Sequence, residues 1–410
     1  MSATIETPAA EGTPPPAAPS RRARIIEALG GELRVLPVLV SLAVIWLFFA
    51  LGDSAFLSSR NLSNLSLQIV VTGVLALGLV LILLVGEIDL SLASASAVAA
   101  TLMATLLVDQ GWSVGFAVLA GLGLGAAVGL AQALVIVFGS PSFVVTLGGG
   151  LMLQGALIAL LPSAGQINLA DTPIAKVAGT YLDVPTGWTL GAIIVAGFAA
   201  LRWTGHVSAR RRGMASSAAR HVLAPTAFVA VVTVATLAVL NGYRGVPVAV
   251  FIFICLLMVA AYATTETRYG IHLFAVGGNR DAARRAGVPV ARLIVSTFVI
   301  GGLCAAIAGM IAASRVLGVS VNSGGGPLML EAIAAAVIGG ASLFGGRGTV
   351  WAALLGALVI GSISNGMDLR GMSTEVKLLV EGGILIIAVT VDVVIARGRL
   401  RPTAMGEAHP

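Results

Sequence analysis

Apolar runs recur along this chain at lengths suited to crossing a bilayer, which takes about 17–25 residues per helix. They lie near 35–52, 66–86, 90–108, 112–138, 143–161, 188–201, 222–240, 247–263, 293–314, 331–345, 349–365 and 375–395. The pattern predicts an all-α, polytopic transmembrane helical bundle of about twelve spans. The sixth, tenth and eleventh runs are short. Gly339-Gly340 and Gly345-Gly346 interrupt the tenth and eleventh, which makes those two candidates for re-entrant half-helices. The fourth run carries Gly121, Gly123, Gly125 and Gly129, and the ninth carries Gly301, Gly302 and Gly309. Small residues let helices approach closely in lipid, so tight packing is the expected role for most of these glycines. The longest stretches between runs are 162–187, 202–221 and 264–292, which leaves no room for an aqueous domain of any size. Residues 1–30 begin with a Pro-, Ala-, Glu- and Thr-rich stretch and read as a disordered cytosolic tail. Residues 31–398 read as the transmembrane domain and 399–410 as a cytosolic C-terminal tail. No cleavable signal peptide is expected, because the first apolar stretch begins only near Arg34.

Composition sharpens this picture. Of 410 residues, 58% are hydrophobic and only 10% are charged, against about 25% charged in ordinary soluble domains. So few charges cannot cover a water-soluble surface of this size, which excludes a soluble enzyme and a disordered protein. The net charge of +6 and a pI near 10 would suit a nucleic-acid binder. But all basic residues except Lys176 and Lys377 are Arg, and most sit between apolar runs, so no nucleic-acid partner is expected. With the N-terminus in the cytosol and the spans alternating, eighteen Lys and Arg fall on cytosolic segments and six outside. That bias places both termini inside. Cys255 and Cys304 fall in apolar runs and read as inert small hydrophobes, without a disulfide or metal framework.

The chemistry is sparse. His206, His221, His272 and His409 all fall in loops or the tail, and neither H-E-x-x-H nor G-x-S-x-G occurs. Catalysis and a cofactor are therefore not expected. Lys176 follows Ala175 and Lys377 follows Val376, so neither can complete a phosphate-cradling Gly-Lys-Ser/Thr loop. If transport is driven by ATP, the ATPase is a separate chain. A gradient-driven carrier would need ionisable groups at mid-membrane. The candidates are Glu87 and Asp89 in Gly86-Glu87-Ile88-Asp89-Leu90-Ser91, then Glu331, Glu381 and Asp392. All but Glu381 fall near a membrane face. Asp89, followed by Ser91, suits a helix cap or first-turn carboxylate as well as a gating or pathway role. Glu381 can face a cavity or pair with Lys377 one turn earlier.

The most informative soluble segment runs from Ala275 to Pro289. Asn279 is a good N-cap, Asp281 sits in the first turn, and Arg284 and Arg285 sit in the last. Gly287 fits the left-handed position past the end, and Pro289 blocks continuation. The spacing predicts a helix over 280–286, too short to stand alone in water. It reads either as a solvated loop with a helical turn or as a knob, with small residues at Ala282, Ala283 and Ala286, that fits a groove on a cytosolic partner.

At this segment the sequence resembles the permease subunits of bacterial sugar ABC importers, the ribose/xylose/galactose group. The matching stretches are Gly86 to Ser91, Pro141 to Leu147, Gly277-Gly278-Asn279 with Ala282-Ala283 and Gly287, and Val337 to Leu343. The resemblance runs from about 60 to 395. Asn241 to Pro247, Asn365-Gly366-Met367 and extra helices around the basic loop Arg202 to Arg220 resemble the D-xylose subgroup. The Pro-rich tail departs from the family, as does Leu92-Ala93 where Val-Gly is common. The resemblance implies an ATP-binding-cassette ATPase with two fused nucleotide-binding halves, a soluble extracytoplasmic sugar-binding protein and a second permease copy. It also implies a multi-pass place among the lipids of the bacterial inner membrane. Gly277, Gly278, Asn279, Arg280, Asp281, Ala282, Ala283, Arg284 and Gly287 would couple to the ATPase. Glu87, Asp89, Ser91, Asn365 and Glu381 are the candidates for translocation or gating. The competing readings are a gradient-driven secondary carrier and a permease of similar fold for branched amino acids or another non-sugar solute.

Overall fold

A computed structural model describes residues 36–213 and 217–398. The chain divides into a leading unit, Met1–Pro37, of which only Leu36 and Pro37 are described, and a compact body from Val38 onward. The tails expected at 1–30 and 399–410 lie outside the described residues.

The elements run α1 Leu36–Gly52, α2 Ser59–Leu84, α3 Leu92–Val108, α4 Val114–Val137 and α5 Ser142–Leu160. Then come β1 Gln166–Asn168, α6 Ala175–Gly179, β2 Tyr181–Leu182, α7 Val184–Arg211, a π-helical turn Ala219–Leu223, α8 Ala224–Asn241 and β3 Val246–Pro247. The rest are α9 Val248–Thr265, α10 Arg268–Gly278, α11 Arg280–Arg285, α12 Val290–Val316, β4 Gly318–Ser320, α13 Gly326–Ile338, α14 Trp351–Leu369 and α15 Thr374–Gly398. Each expected span has a helix, and eight of those described are long and apolar enough to cross a membrane.

The differences from the expected spans have local causes. Helix α2 starts at Ser59, earlier than its apolar run, because Ser58 caps it by accepting from the Asn61 amide. Helix α7 is not a short span followed by a basic loop. Asp183 caps it, Pro185 sits in its first turn, and Ala and Arg carry it on for 28 residues through Arg202 to Arg211. Of the two suspected half-helices only α13 is short, at 13 residues; α14 has 19. The glycines thought to interrupt them lie in the connecting loop, 339–350. Two small antiparallel ribbons also join the helices. In one, Gln166 faces Ser320; in the other, Tyr181 faces Pro247.

Helix α2 forms the centre of the body. Its most apolar stretch is 94% buried, against 67% for α12, 61% for α14 and 11–22% for α4, α5, α7 and α8. The last four carry the outward apolar surface, with Phe116, Leu151, Ile193 and Val231 exposed. Lipid tails are as apolar as leucine, so inner helices gain stability from close contact rather than from escaping water. The α4–α12 seam shows how. A Cβ on Gly125 would stand 2.3 Å from the Gly302 carbonyl oxygen, and one on Gly302 would stand 2.0 Å from that of Gly125. The two backbones touch, as the glycine-rich runs predicted, although Gly123 faces open space.

Candidate functional site

Three connections meet at one junction: the 85–91 loop between α2 and α3, the corner between α10 and α11, and the 339–350 loop. The Gly346 amide donates to the Leu84 carbonyl at 3.1 Å. Gly277 lies against both strands of this contact. A Cβ there would stand 1.9 Å from the Leu84 oxygen and 2.4 Å from the Gly346 nitrogen, so only hydrogen fits. Next to it, Arg280 Nη1 donates to Glu87 Oε1 at 2.7 Å, with the arginine side chain 41% exposed and the glutamate 9%. The two segments singled out from sequence, the acidic loop and the 277–287 segment, are thus joined by an ion pair. Sequence reasoning did not anticipate that contact.

Asp89 sits at the same junction and is 1% exposed. It occupies neither the cap nor the first turn of α3, as its spacing had suggested. The cap is Ser91, which makes no side-chain capping bond. Instead the Asp89 carboxylate accepts from both the amide and the hydroxyl of Ser91, each at 2.7 Å, and so ties the loop as it enters the helix. Burial pushes the Asp89 carboxyl up to about 6, and the two Ser91 bonds pull part of the way back. Gln132 of α4 donates to the Ser91 hydroxyl at 2.8 Å. Ser142 and Thr146 of α5 accept from the Ile88 and Leu90 amides at 3.2 Å each. Gln132 also escaped the sequence reading; its only signal was a lone amide in a Gly- and Ala-rich span.

Helix α11 forms largely as its residues predict. The Asn279 side chain accepts from the Ala282 amide at 2.9 Å, Asp281 is in the first turn, and Arg284 and Arg285 are in the last. Gly287 has φ +81°, the left-handed region that favours glycine. The small-residue face, however, is divided. Ala283 is buried in the chain's own core at 5% exposure. The outward residues are Asp281, Ala282, Arg284, Arg285, Ala286 and Gly287, with Gly278 and Asn279 beside them.

The remaining candidates lie elsewhere. Asn365 of α14 is buried and accepts from Asn61 Nδ2 at 2.8 Å, while the same amide reaches the Phe56 carbonyl. Both line a cavity of about 400 Å³ together with Asn64, Gln68, Arg315 and Asp368. Glu381 is half-buried with Ser364 as its hydroxyl partner. It does not pair with Lys377, which forms its ion pair with Asp368 instead. The candidates therefore separate: Glu87, Asp89 and Ser91 meet at the junction, Asn365 lines the cavity, and Glu381 belongs to neither. A signal for the cavity was present in the sequence: Asn61, Asn64 and Gln68 recur at helical spacing in the first turns of α2.

With this geometry in view, the chain can be set beside known proteins. Residues 61–389 match the family described as branched-chain amino acid transport system / permease component. The chain belongs to this permease family. As a member it is a multi-pass inner-membrane protein and a non-catalytic transport component. It is similar to the xylose transport system permease protein XylH of Escherichia coli (strain K12), 36% identical over 88% of this chain and 92% of that one. XylH of Haemophilus influenzae is also 36% identical, over 88% and 96%. The ribose import permease protein RbsC of Escherichia coli (strain K12) is 28% identical over 86% and 92%. No solved structure matches the chain.

Proposed function

We propose that this chain is the membrane permease subunit of an ATP-binding-cassette importer that brings D-xylose or a related pentose into the bacterial cytoplasm. A separate ATPase supplies the energy, and a soluble extracytoplasmic sugar-binding protein delivers the solute. Two copies of the chain form the lipid-embedded pathway, each a bundle of about twelve spans with the short α13 a candidate re-entrant half-helix and both termini in the cytosol. The identity to two xylose permeases over nearly their whole length supports a pentose over a branched-chain amino acid.

The observation that carries the coupling part is the fastening of α11. A helix of six residues has no stability of its own. This one is held by the Asn279 cap, the Gly287 turn, the buried Ala283 and the Arg280–Glu87 pair. In this reading its outward face, Asp281, Ala282 and Arg284 with Gly278, docks in the ATPase. A push there reaches the 85–91 loop, and that loop ends the central α2 and begins α3. Glu87, Asp89 and Ser91 then serve as the hinge between ATPase movement and the gate, while Asn365 and Glu381 belong to the solute's path. The test is ATP hydrolysis by the complex reconstituted in vesicles. Xylose-loaded binding protein is expected to stimulate it, and hydrolysis indifferent to the loaded binding protein would refute the proposal.

A further inference from the structure

The body holds a cavity whose lining suits a particular kind of molecule. It has about 400 Å³ of space, within the about 300–1,000 Å³ usual for small-molecule sites. Asn61, Asn64 and Gln68 line it from α2, Asn365 and Asp368 from α14, and Arg315 from the last turn of α12. Among the described residues, the apolar ones that line it are Leu67 and Leu369. The α2 residues fall on one face at spacings of three and four, and the series continues inward to Thr72, which donates to Glu331 of α13 at 3.1 Å. Asn61 and Thr72 are each buried, at 6% exposure, Gln68 is half-buried and Asn64 is exposed, so Asn64 marks the open side of the cavity, and Thr72 lies beyond its lining.

Polar side chains on a buried membrane helix are costly unless they face one another or an aqueous path. Four carboxamides around one cavity each carry a donor and an acceptor, which is the pattern a sugar hydroxyl presents in return. Arg315 and Asp368 bring opposite charges, and Asp368 is already paired with Lys377.

We propose that this cavity is a recognition site for an uncharged polyhydroxylated solute, with Asn64 and Gln68 contacting it. The site rests on the reading of the chain as a pentose importer and adds where, in a single chain, the solute is first held. Asn61 and Asn365, already bonded to each other, set the shape of the wall.

The experiment places a single cysteine at Gln68→Cys in a chain carrying Cys255→Ala and Cys304→Ala. The chain is assembled with its ATPase and binding protein and turns over ATP. Labelling by a water-soluble maleimide is timed with D-xylose, with L-leucine and with neither. Asn64→Cys is a second, exposed position should Gln68→Cys fail to assemble, and Asp109→Cys reports any global effect. Saturating D-xylose fills the site and covers the thiol, so it is expected to slow labelling at 68 or 64 by roughly tenfold or more and to leave 109 unchanged. Labelling unaffected by xylose overturns the site, as does protection by leucine or equal slowing at Asp109→Cys. Uptake of both solutes by the wild-type complex is measured in parallel. Xylose uptake without protection refutes the site alone, and protection without xylose uptake supports the site while refuting the import reading.

Discussion

Gly277→Ala adds one methyl group where the junction has no space. That carbon would stand 1.9 Å from the Leu84 oxygen and 2.4 Å from the Gly346 nitrogen, where ordinary contact begins near 3.4 Å. Both obstacles are backbone, so no side chain can swing away. The end of α2 must move off Gly277 by about 1.5 Å, and the wedged methyl group beside the Gly346–Leu84 hydrogen bond breaks it. Overpacking costs about 1–3 kcal/mol and an unsatisfied buried polar pair about 1–3 more, while alanine in a helix returns up to about 1. The net loss is about 1–6 kcal/mol. Gly278, the next residue, has nothing within 4 Å of its would-be Cβ. Gly278→Ala should therefore be neutral or stabilising by up to about 1 kcal/mol. Denaturation of the purified chain in detergent micelles measures both. Equal stability of the two variants would refute the close approach on which the junction depends.

Other consequences concern the same corner and the topology. Ala282→Trp should reduce co-purification of the ATPase by roughly tenfold or more while leaving the chain stable, whereas Ala283→Trp should destabilise the chain itself by about 1–3 kcal/mol; matching effects in pull-down and melting would show that the two alanines do not face different ways. A double-mutant cycle with Glu87→Gln and Arg280→Gln should give a coupling energy of about 1–2 kcal/mol, lowered by salt at the half-exposed arginine, and additive losses would deny the ion pair any part in holding α11. Arg211→Cys should resist an impermeant thiol reagent in intact cells and react after permeabilisation, and strong labelling from outside would reverse the orientation.

Local rules read well from the sequence where few residues set the outcome. The cap at Asn279 and the turn at Gly287 follow from short-range chemistry, and the glycines of the fourth and ninth apolar runs announced close packing without saying that the two runs meet. Boundaries read poorly where polar residues join a helix. Asn61 and Asn64 looked like loop residues before the apolar run, yet they belong to α2, because Ser58 supplies the cap and their amides find partners or the cavity. Arg202 to Arg211 read as a loop because arginine is charged, although it is a good helix former. The junction was invisible for a different reason. Glu87 and Arg280 are far apart in sequence, and no periodicity announces that Gly277 must meet Leu84. Ala283 was misassigned to the outward face because a six-residue polar helix gives no hydrophobic pattern to orient it.

The central claim is that ATP hydrolysed elsewhere moves a pentose through this chain. Its most direct test is accumulation of labelled D-xylose in vesicles holding the chain and its ATPase, with the sugar-binding protein supplied outside and ATP inside. The account predicts uptake that requires all of these components, fails with a non-hydrolysable ATP analogue and is lost with Ala282→Trp. Uptake driven by an imposed ion gradient without the ATPase, or ATP-driven uptake of leucine in place of xylose, would contradict it.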